Sequence, residues 1–410
     1  MRLLLLTFYY PPDLCAGSFR SSALIDALCK VAGDGMQVDV MTTMPNRYHS
    51  HSNQAEMMEQ YKGVIIHRIP LPPHQSGMVD QSRAFVKYAR TVLRQTRRQQ
   101  WDVVIATSSR LMTGVLGAWV AKRNHASFYL DIRDLFTDTM DDLLSGSPLR
   151  GLLPVLRYLE RWTICSAHRV NLISAGFLPH AWLVAPQHDY RLFTNGIDEE
   201  FLSQDFSGSG RKSGLPPLIV YAGNMGEGQG LHHVMPAAAR LLAGKARFRL
   251  IGDGGRRRQL MEVLARTGAS NVEVLDPVSR SELFQHYREA DILFMHLNDH
   301  AAFRKVLPSK LFEYAATGKP MLAGVAGHAA DFLQQEVAGV EIFAPCDAGG
   351  LVEALERLSK IIVPVNRELF KQRFSRKEIM REMAEDILSL AGAMDELVAK
   401  SRCRQRSRNS

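Results

Sequence analysis

Short apolar runs alternate with helical patterns along the whole chain, and this alternation constrains the fold more than any other feature. The runs in the first half are Leu3–Thr7, Val38–Thr42, Val64–Ile69, Val103–Thr107, Ser127–Leu130 and Val170–Ser174. Those in the second half are Ile219–Ala222, Phe248–Gly252, Val272–Leu275, Ile292–Met295 and Pro320–Ala323. Continuous Val, Ile and Leu runs are typical of strands buried on both faces, as in parallel sheets covered by helices. The sequence therefore predicts two doubly wound α/β domains.

The domain boundaries follow from composition, since 410 residues are enough for two full-sized cores. A segment rich in Ser, Gly and charge lies between the two sets of strands. It predicts a first domain over residues 1–197, a linker over 198–217 and a second domain over 218–374. Beyond these, Ser375 is a candidate cap for a helix over residues 375–399, and the basic residues 400–410 are expected to form a disordered tail.

The amino terminus imitates a signal peptide, but its apolar run ends at Pro11-Pro12-Asp13 and lacks a small-residue cleavage site. We interpret it as a buried first strand. No segment is long and apolar enough to span a bilayer. The five cysteines are scattered and are never spaced as metal ligands, which favours reduced thiols in a cytoplasm.

The net charge of +8 is unevenly distributed, and one basic segment stands out. No acidic residue occurs between Asp80 and Asp102, where cations recur every three or four residues on one predicted helical face: Arg83, Lys87, Arg90, Arg94 and Arg97. We call these five residues the basic stripe. Such a stripe attracts an anionic surface, and we favour a membrane over nucleic acid. A solvated helix face is the alternative.

The segment from Leu307 to Pro320 carries the most specific chemistry. A helix is predicted from Ser309, as its N-cap, to a stop at Gly318. Lys310 and Glu313 then share one face of that helix. The first-turn N–H groups and Lys310 can hold a phosphate, while Glu313 can accept hydrogen bonds from a pair of sugar hydroxyls. This layout suits a nucleotide-diphosphate ligand, although a capped helix with an exposed Lys-Glu pair would give the same pattern.

Loops after other predicted strands of the second half supply further candidates. Four glycines follow the first of these strands, at positions 223, 226, 228 and 230, and Asn224 and Gln229 lie among them. Glycines there leave backbone N–H groups exposed, as anion-binding loops need. The Gly-Lys-Ser/Thr ending of a P-loop is absent. Val278, in Asp276-Pro-Val278, could present backbone groups to a base.

In the first half, two loops could contact a ligand. Gly17 allows close backbone approach, and Arg20 follows it in the next predicted helical turn, so that a phosphate or sugar could lie there. A plain structural turn is the alternative. Asp131 and Asp134 flank Arg133 after a later strand and could orient an acceptor hydroxyl or act as general base. A structural Asp-Arg pair is equally compatible with the pattern.

Several kinds of site are not indicated. No Asp-x-Asp occurs, so a metal chelating a diphosphate is not expected. The fourteen histidines are not expected to form a metal-ligand set, and His232 and His233 are expected at a helix start rather than on a metal. Neither half has the dinucleotide fingerprint after its first strand, which argues against a nicotinamide dehydrogenase.

Taken together, these segments resemble the family-four retaining glycosyltransferases of the GT-B fold. The motifs that carry the likeness are Tyr10-Pro-Pro-Asp with Gly17, Asp131-Ile-Arg-Asp-Leu, Asn195-Gly-Ile-Asp198, Tyr221-Ala-Gly-Asn-Met-Gly, Ile251-Gly-Asp-Gly, Glu289-Ala-Asp-Ile and Pro308-Ser-Lys-Leu-Phe-Glu-Tyr-Ala-Ala-Thr-Gly-Lys-Pro. The likeness runs nearly end to end, and its last motif is the most specific. The sequence looks most similar to bacterial surface-polysaccharide enzymes, among them N-acetyl-L-fucosamine transferases.

The resemblance implies two facing Rossmann-like domains, the first for the acceptor and the second for the nucleotide sugar, with a carboxy-terminal helix returning to the first. Glu313 would hold the donor's ribose, and Ser309 and Lys310 would face its phosphates. Gly17 would approach them from the other domain, and the loop from Gly223 to Gly230 would complete the site.

Two departures from the family pattern concern the donor sugar. Many members have a second Glu eight residues before the ribose Glu, where this chain has Lys305. Many also have an Arg and a Lys in the glycine loop, where Asn224 and Gln229 stand. Lys305 and Lys310 would then provide the positive charge that holds the donor's phosphates. The identity of the donor sugar is not determined by these residues.

The expected function is metal-independent, retaining transfer of a sugar, with UDP favoured as the nucleotide and Lys310 and Asp134 as candidate catalytic residues. The acceptor would be a saccharide or a polyprenyl-diphosphate-linked sugar of surface polysaccharide or O-antigen synthesis, with no cofactor and no nucleic acid. The protein would be cytoplasmic and peripheral to the inner membrane through Arg20 and the basic stripe. The alternatives are a GT-B nucleotide-sugar epimerase and a non-catalytic protein that binds through its basic surface.

Overall fold

The computed structural model describes residues 1–13, 15–45, 55–72, 78–108, 110–143, 148–206, 214–360 and 365–406. These residues form two compact units. Unit 1 comprises Met1–Asn195 and Lys377–Ser410, and unit 2 comprises Gly196–Arg376. Within the described residues, none of the helices combines the length and apolarity that crossing a bilayer requires.

Unit 1 is a sheet covered by helices. Its strands are β1 (Arg2–Leu6), β2 (Gln37–Thr43), β3 (Met58–Tyr61), β4 (Val64–Ile69), β5 (Val103–Ser108), β6 (Ser127–Ile132), β7 (Arg169–Leu172) and β8 (Tyr190–Arg191). Its helices before unit 2 are α1 (Ala16–Ala32), α2 (Met78–Gln95), α3 (Leu111–Asn124), α4 (Phe136–Leu143), α5 (Leu153–Ser166) and α6 (Leu178–Val184). The sheet order is β3-β4-β2-β1-β5-β6-β7-β8, and every pair is parallel except β3 with β4.

Unit 2 repeats this plan with a sheet that is wholly parallel. Its strands are β9 (Leu218–Ala222), β10 (Arg247–Ile251), β11 (Val272–Leu275), β12 (Ile292–His296), β13 (Met321–Gly324) and β14 (Val340–Phe343). Its helices are α7 (Glu199–Leu202), α8 (Leu231–Leu241), α9 (Arg257–Arg266), α10 (Arg280–Glu289), α11 (Ser309–Ala316), α12 (His328–Glu336), α13 (Ala348–Leu358) and α14 (Glu368–Arg373). The sheet order is β11-β10-β9-β12-β13-β14.

The strand order of unit 2 determines where a ligand can bind. From β9 the chain proceeds outward through β10 and β11, then returns to β12 beside β9 and proceeds the other way. The carboxyl ends of β9 and β12 therefore flank the topological switch point, the usual ligand site of an open parallel sheet. The core below it includes Ile219, Tyr221, Phe248 and Phe294, each at most 1 % exposed.

After unit 2 the chain enters a last helix, α15 (Arg376–Arg406), whose residues from Lys377 onward belong to unit 1. Met380, Met383 and Ile387 are fully buried on its inner face. Asp386 forms ion pairs with Arg169 and Arg191 of unit 1. Burial and charge together thus attach the end of the chain to the first unit.

The predicted α/β class is confirmed, and all eleven predicted strands are present within one or two residues. The prediction missed three strands, β3, β8 and β14. β3 is an edge strand with mostly exposed residues, and β8 has only two residues. β14 (Val-Glu-Ile-Phe) contains a charged residue and is therefore not a continuous apolar run, because an edge strand buries its side chains less completely.

Two expectations about the connecting segments are wrong for the described residues. The front of the expected linker is folded onto unit 2, because Phe201 and Phe206 are buried and their rings pack against that of Phe284 at 5.0 and 5.9 Å. The Ser/Gly run over 207–213 lies outside the described residues. The expected disordered tail is helical up to Arg406, because no Gly or Pro interrupts α15 after Gly392.

Candidate functional site

Helix α11 carries the residues predicted to bind a nucleotide sugar, and it lies in unit 2 beside β9. Its first helical residue is Ser309, while Pro308 occupies the cap position, and no side chain caps the helix. Ser309 is therefore not the N-cap that the sequence suggested, because the chain enters the helix one residue earlier. The first-turn N–H groups are consequently not occupied by a capping side chain. They remain suited to an anion.

Lys310 crosses directly over Gly223. A Cβ atom at position 223 would lie 2.2 Å from both Cε and Nζ of Lys310, and Gly223 has a φ of +140°, which disfavours any other residue. The Lys310 ammonium donates a hydrogen bond of 2.7 Å to the Tyr221 hydroxyl and lies 4.1 Å from the centroid of the Tyr221 ring. The glycine at the end of β9 thus creates the space in which Lys310 lies.

The charge of Lys310 is poised near neutral pH. Burial lowers the pKa of its ammonium to about 7, with Glu313 acting in the opposite direction. The side chain is nevertheless half-buried rather than enclosed, so an incoming ligand can reach it. An anion at this position would restore the full positive charge that the sequence led us to expect.

Glu313 lies one turn further along α11, among several charges. The pKa of its carboxyl is raised, mainly because the group is buried. Arg280 and Arg376 act to lower this pKa, and Asp198 acts to raise it. Asp198 is already engaged, because it forms an ion pair of 2.6 Å with Arg280 and a second ion pair with Arg376. Glu313 is half-buried and can accept hydrogen bonds, while the positive charges of Arg280 and Arg376 are partly neutralised by Asp198.

The glycine loop between β9 and α8 is held together by its polar side chains. The Asn224 amide donates a hydrogen bond of 2.8 Å to Oε1 of Gln229, which also accepts one of 3.3 Å from the Gly226 N–H. Asn224 and Gln229 therefore hold the loop through hydrogen bonds between uncharged groups. The Tyr221 hydroxyl donates to the Asn224 carbonyl at 2.5 Å, which connects the loop to Lys310.

The loop after β12 completes this edge of the sheet. The Asn298 N–H donates to the Gly228 carbonyl at 2.9 Å, and its amide donates to the Glu227 carbonyl at 2.9 Å. Lys305 ends a short 3₁₀ turn that precedes α11 and is half-buried. Val278 lies half-buried between β11 and α10, two residues before Arg280.

In unit 1 the structure corrects the interpretation of Arg20. This residue is 1 % exposed, and its guanidinium donates two hydrogen bonds of 3.0 Å to the Asp131 carboxylate. It also donates to the carbonyls of Phe193 and Thr194 at 2.8 and 2.6 Å. The prediction that Arg20 contacts an acceptor or a membrane does not fit this placement. Arg20 and Asp131 are the buried structural pair.

Gly17 and Arg133 are close neighbours in the same unit. A Cβ atom at Gly17 would lie 2.6 Å from Nη1 of Arg133, so the absence of a side chain makes room for the guanidinium. Burial lowers the pKa of Arg133, and Asp131 and Asp134 act against this shift. Asp134 itself is exposed at the carboxyl end of β6. Its part in chemistry stays a prediction.

All five cations of the basic stripe are exposed. Four lie on α2, and Arg97 follows in a 3₁₀ turn. The opposite face of α2 is anchored by Tyr88, whose hydroxyl donates to the Met41 carbonyl at 2.8 Å. On the adjacent α3, Arg123 donates to the Leu93 carbonyl, and Trp119 is 56 % exposed. An exposed aromatic residue thus lies on the helix adjacent to the stripe.

Sequence reasoning missed three residues of these sites. Tyr221 belongs to a predicted strand and to the glycine motif, but neither pattern predicts that its side chain contacts Lys310. Arg280 acts on Glu313 through space, and no motif links them. Arg110, whose guanidinium lies 4.1 Å above the Phe8 ring and donates to the Tyr9 hydroxyl at 3.1 Å, follows β5 in unit 1. The position just after a buried strand was the available signal for Arg110.

Two protein-family models match the chain. The model described as "Glycosyl transferase 4-like domain" matches residues 26–196, and the model described as "Glycosyl transferases group 1" matches residues 216–360. The first match lies in unit 1 and the second in unit 2, where it includes the glycine loop and α11.

Three known proteins are similar over nearly their whole length. WcaI of Escherichia coli (strain K12), a protein named as a colanic acid biosynthesis glycosyl transferase, is 24 % identical over 94 % of this chain and 100 % of its own. The sucrose-phosphate synthase of Thermosynechococcus elongatus has a TM-score of 0.67 at 14 % identity, covering 98 % of this chain and 99 % of that one. Anabaena HepE, solved in complex with UDP and glucose, has a TM-score of 0.64 at 16 % identity, covering 95 % and 100 %. The two structures show that the fold is that of GT-B glycosyltransferases.

Proposed function

We propose that this protein, whose fold is that of GT-B glycosyltransferases, moves a sugar from a nucleotide-diphosphate donor to an acceptor of surface-polysaccharide synthesis. One observation carries the donor assignment: Lys310 lies over Gly223, with Glu313 one turn further on α11, at the switch point of the unit 2 sheet. A cation and first-turn N–H groups suit a diphosphate, and a carboxylate suits ribose hydroxyls. UDP is the favoured nucleotide, and the similar HepE structure holds UDP.

The reaction we propose is metal-independent and retains the anomeric configuration. Departure of the diphosphate develops negative charge, which Lys310, Lys305 and the N–H groups of α11 and the glycine loop stabilise. On a same-face path the leaving phosphate oxygen takes the proton of the acceptor hydroxyl while that hydroxyl bonds to the anomeric carbon. Asp134 is proposed to orient the acceptor, and no step depends on it as a base.

The ribose assignment can be tested with a pair of ligands. Glu313→Gln and Glu313→Ala are titrated calorimetrically with UDP and with 2′,3′-dideoxy-UDP. Loss of charge-assisted hydrogen bonds predicts at least tenfold weaker UDP binding, while the dideoxy ligand binds the variants and the parent protein almost equally. Equal losses for both ligands would show that Glu313 acts on the fold or the phosphates instead.

Transfer itself is tested with radiolabelled UDP-, GDP- and dTDP-sugars and polyprenyl-diphosphate-linked acceptors, and the product linkage is assigned by NMR. Formation of a glycosylated lipid with the donor's anomeric configuration supports the proposal. An epimerised free nucleotide sugar without transfer would favour the epimerase alternative. Tight binding to basic-surface ligands without turnover would favour a non-catalytic role.

We further propose that unit 1 contacts an anionic membrane through the basic stripe, as a lipid-linked acceptor requires. The exposed Trp119 beside the stripe supports this orientation. Arg83, Lys87, Arg90 and Arg94 are reversed to Glu and tested for sedimentation with vesicles containing phosphatidylglycerol. The control reverses an equal number of exposed cations in unit 2: Arg240, Lys245, Arg258 and Arg266. Only the stripe variant should lose binding, and equal loss in both would indicate net charge alone.

A second exposed face of unit 1 provides a sharper contrast. Large apolar side chains on and just before α5 and on α6 are more than half exposed: Leu152, Val155, Tyr158, Trp182 and Leu183. Replacing Trp182 and Leu183 by Ser should leave sedimentation unchanged if the stripe is the membrane contact. Loss of binding in that variant, with none in the stripe variant, would move the contact to α5 and α6.

A further inference from the structure

The glycine loop and the first turn of α8 bring together three side chains that can bind a metal. One ligand atom from each of Glu227, His232 and His233 lies within 4.8 Å of the other two. The histidines are expected at a helix start, and α8 does begin at Leu231. The carboxylate arrives from the loop, in a spacing that no short histidine motif describes. Two imidazoles and a carboxylate are a common ligand set for Zn²⁺.

Within the described part of the chain, the buried imidazole of His232 lacks a hydrogen-bond partner on one of its nitrogens. Its side chain is only 3 % exposed, and its Nδ1 has no hydrogen-bond partner among the described residues. Its Nε2 lies 3.9 Å from Oε2 of Glu227, longer than a hydrogen bond. A buried imidazole with one nitrogen unsatisfied and the other directed at a distant carboxylate lacks the partners that buried polar groups normally have.

A third histidine, His300, lies near the same carboxylate. Nε2 of His300, in the loop after β12, lies 3.9 Å from Oε1 of Glu227. The rings of His232 and His233 have centroids 4.0 Å apart and are inclined by 40°. Because a ligand atom from each of Glu227, His232 and His233 already lies within 4.8 Å of the other two, one cation could be shared by all three, with His300 or a water as the fourth ligand.

Arg256 is the competing cation in this region. Its Nε lies 2.5 Å from Oε2 of Glu227, and its side chain is 47 % exposed. Its Nη1 also donates a hydrogen bond of 3.0 Å to Oε1 of Gln259, so Arg256 has a second partner near the surface. A divalent ion bound by this carboxylate would compete with the guanidinium, because the two positive charges repel each other at such short distances. The removal of Arg256 should therefore favour metal binding.

We propose that Glu227, His232 and His233 bind a late first-row divalent cation, with Zn²⁺ preferred, which fastens the glycine loop to the first turn of α8. The ion has a structural or regulatory role and lies outside the metal-independent transfer chemistry. Its occupancy would stiffen the loop that carries Asn224 and Gln229. The proposal goes beyond the glycosyltransferase function and stands or falls independently of it, because it is tested without nucleotide.

The experiment uses the tag-free full-length chain, stripped with chelator and titrated with Co²⁺ followed by Zn²⁺. We expect one equivalent of Co²⁺ to give the visible absorption of a four-coordinate nitrogen and oxygen site, and Zn²⁺ to displace it. His233→Ala and Glu227→Gln should each weaken binding at least tenfold, whereas Arg256→Ala should tighten it several-fold. His125→Asn, an exposed histidine of unit 1, is the matched control and should change nothing.

These measurements distinguish one specific metal site from nonspecific binding of metal ions to exposed side chains. Weak binding of several equivalents that responds equally to His233→Ala and His125→Asn would overturn the proposal. So would unchanged affinity in Glu227→Gln, or weaker binding in Arg256→Ala. If His233→Ala fails to fold, Glu227→Gln and Arg256→Ala still decide, since they must move the affinity in opposite directions.

Discussion

Each unit places an acid, a base and a glycine at the carboxyl edge of a parallel sheet, yet the two edges differ physically. In unit 1, Arg20 and Asp131 are almost fully buried and satisfy each other and the neighbouring carbonyls. In unit 2, Lys310 and Glu313 are half-buried, and the pKa of each is shifted toward its neutral form. A buried pair whose hydrogen bonds are all satisfied is structural, whereas two half-buried groups with shifted pKa values at an accessible edge support the proposed donor site.

The largest expected effect is the loss of stability when the buried Arg20–Asp131 pair of unit 1 is broken. Arg20→Leu leaves Asp131 buried without its partner, which should cost about 3–5 kcal/mol of unfolding free energy. The four tryptophans, at 101, 119, 162 and 182, all lie in unit 1, so tryptophan fluorescence during urea denaturation reports that unit alone. The control is Arg83→Leu on exposed α2, which should change stability by less than about 0.5 kcal/mol. Similar midpoints for the two variants would contradict the structural role.

The next effect concerns the space that Gly223 leaves for Lys310. In Gly223→Ala the new Cβ would overlap the Lys310 side chain, and the φ of +140° adds strain of about 1–3 kcal/mol. We expect UDP binding at least tenfold weaker by calorimetry. Gly255→Ala is the matched control, because a Cβ there meets nothing within 4 Å. Retained affinity in Gly223→Ala would mean that Lys310 need not lie over the loop.

The pH dependence of UDP binding tests the charge of Lys310 in unit 2, and the affinity should change by up to about tenfold per pH unit. Lys310 has a pKa of about 7 without ligand, and a diphosphate favours its charged form. Binding above pH 7 therefore takes up a proton, and UDP affinity should fall as pH rises from 7 to 9, where the terminal phosphate of UDP is already fully ionised. Lys310→Met should bind weakly with a flat profile. The same slope in both proteins would assign the titration to another group.

The same contrast shows what the sequence could and could not predict. Continuous apolar runs identified the strands because period and composition are local properties, and the motif around α11 lies near the switch point of the unit 2 sheet. The sequence could not distinguish Arg20 from Lys310, since each is a cation in an early helical turn after a loop. Their difference depends on Phe193, Thr194 and Met383, which are distant in the chain. The contact of Tyr221 with Lys310 could not be predicted for the same reason, because the two residues are 89 positions apart.

The smallest effect tests whether the Tyr221 hydroxyl merely supports Lys310. Tyr221→Phe keeps the ring beneath the ammonium but removes the hydroxyl, which accepts from Lys310 and donates to the Asn224 carbonyl. We expect a loss of about 1 kcal/mol in stability and a change in UDP affinity of less than about fivefold. Tyr221→Leu, which also removes the cation–π contact, should be more harmful by about 0.5–1 kcal/mol.

The matched control for this variant is Tyr190→Phe in unit 1, whose hydroxyl donates to the Ala181 and Ala185 carbonyls at 2.8 and 3.1 Å. It should lose a similar amount of stability, because a buried hydroxyl bond is lost in each case, and its UDP affinity should not change. If Tyr221→Phe instead weakens UDP binding as much as Gly223→Ala does, the hydroxyl contacts the ligand itself. Tyr221 would then be a direct part of the donor site, and Lys310 would not be the group that distinguishes the two edges.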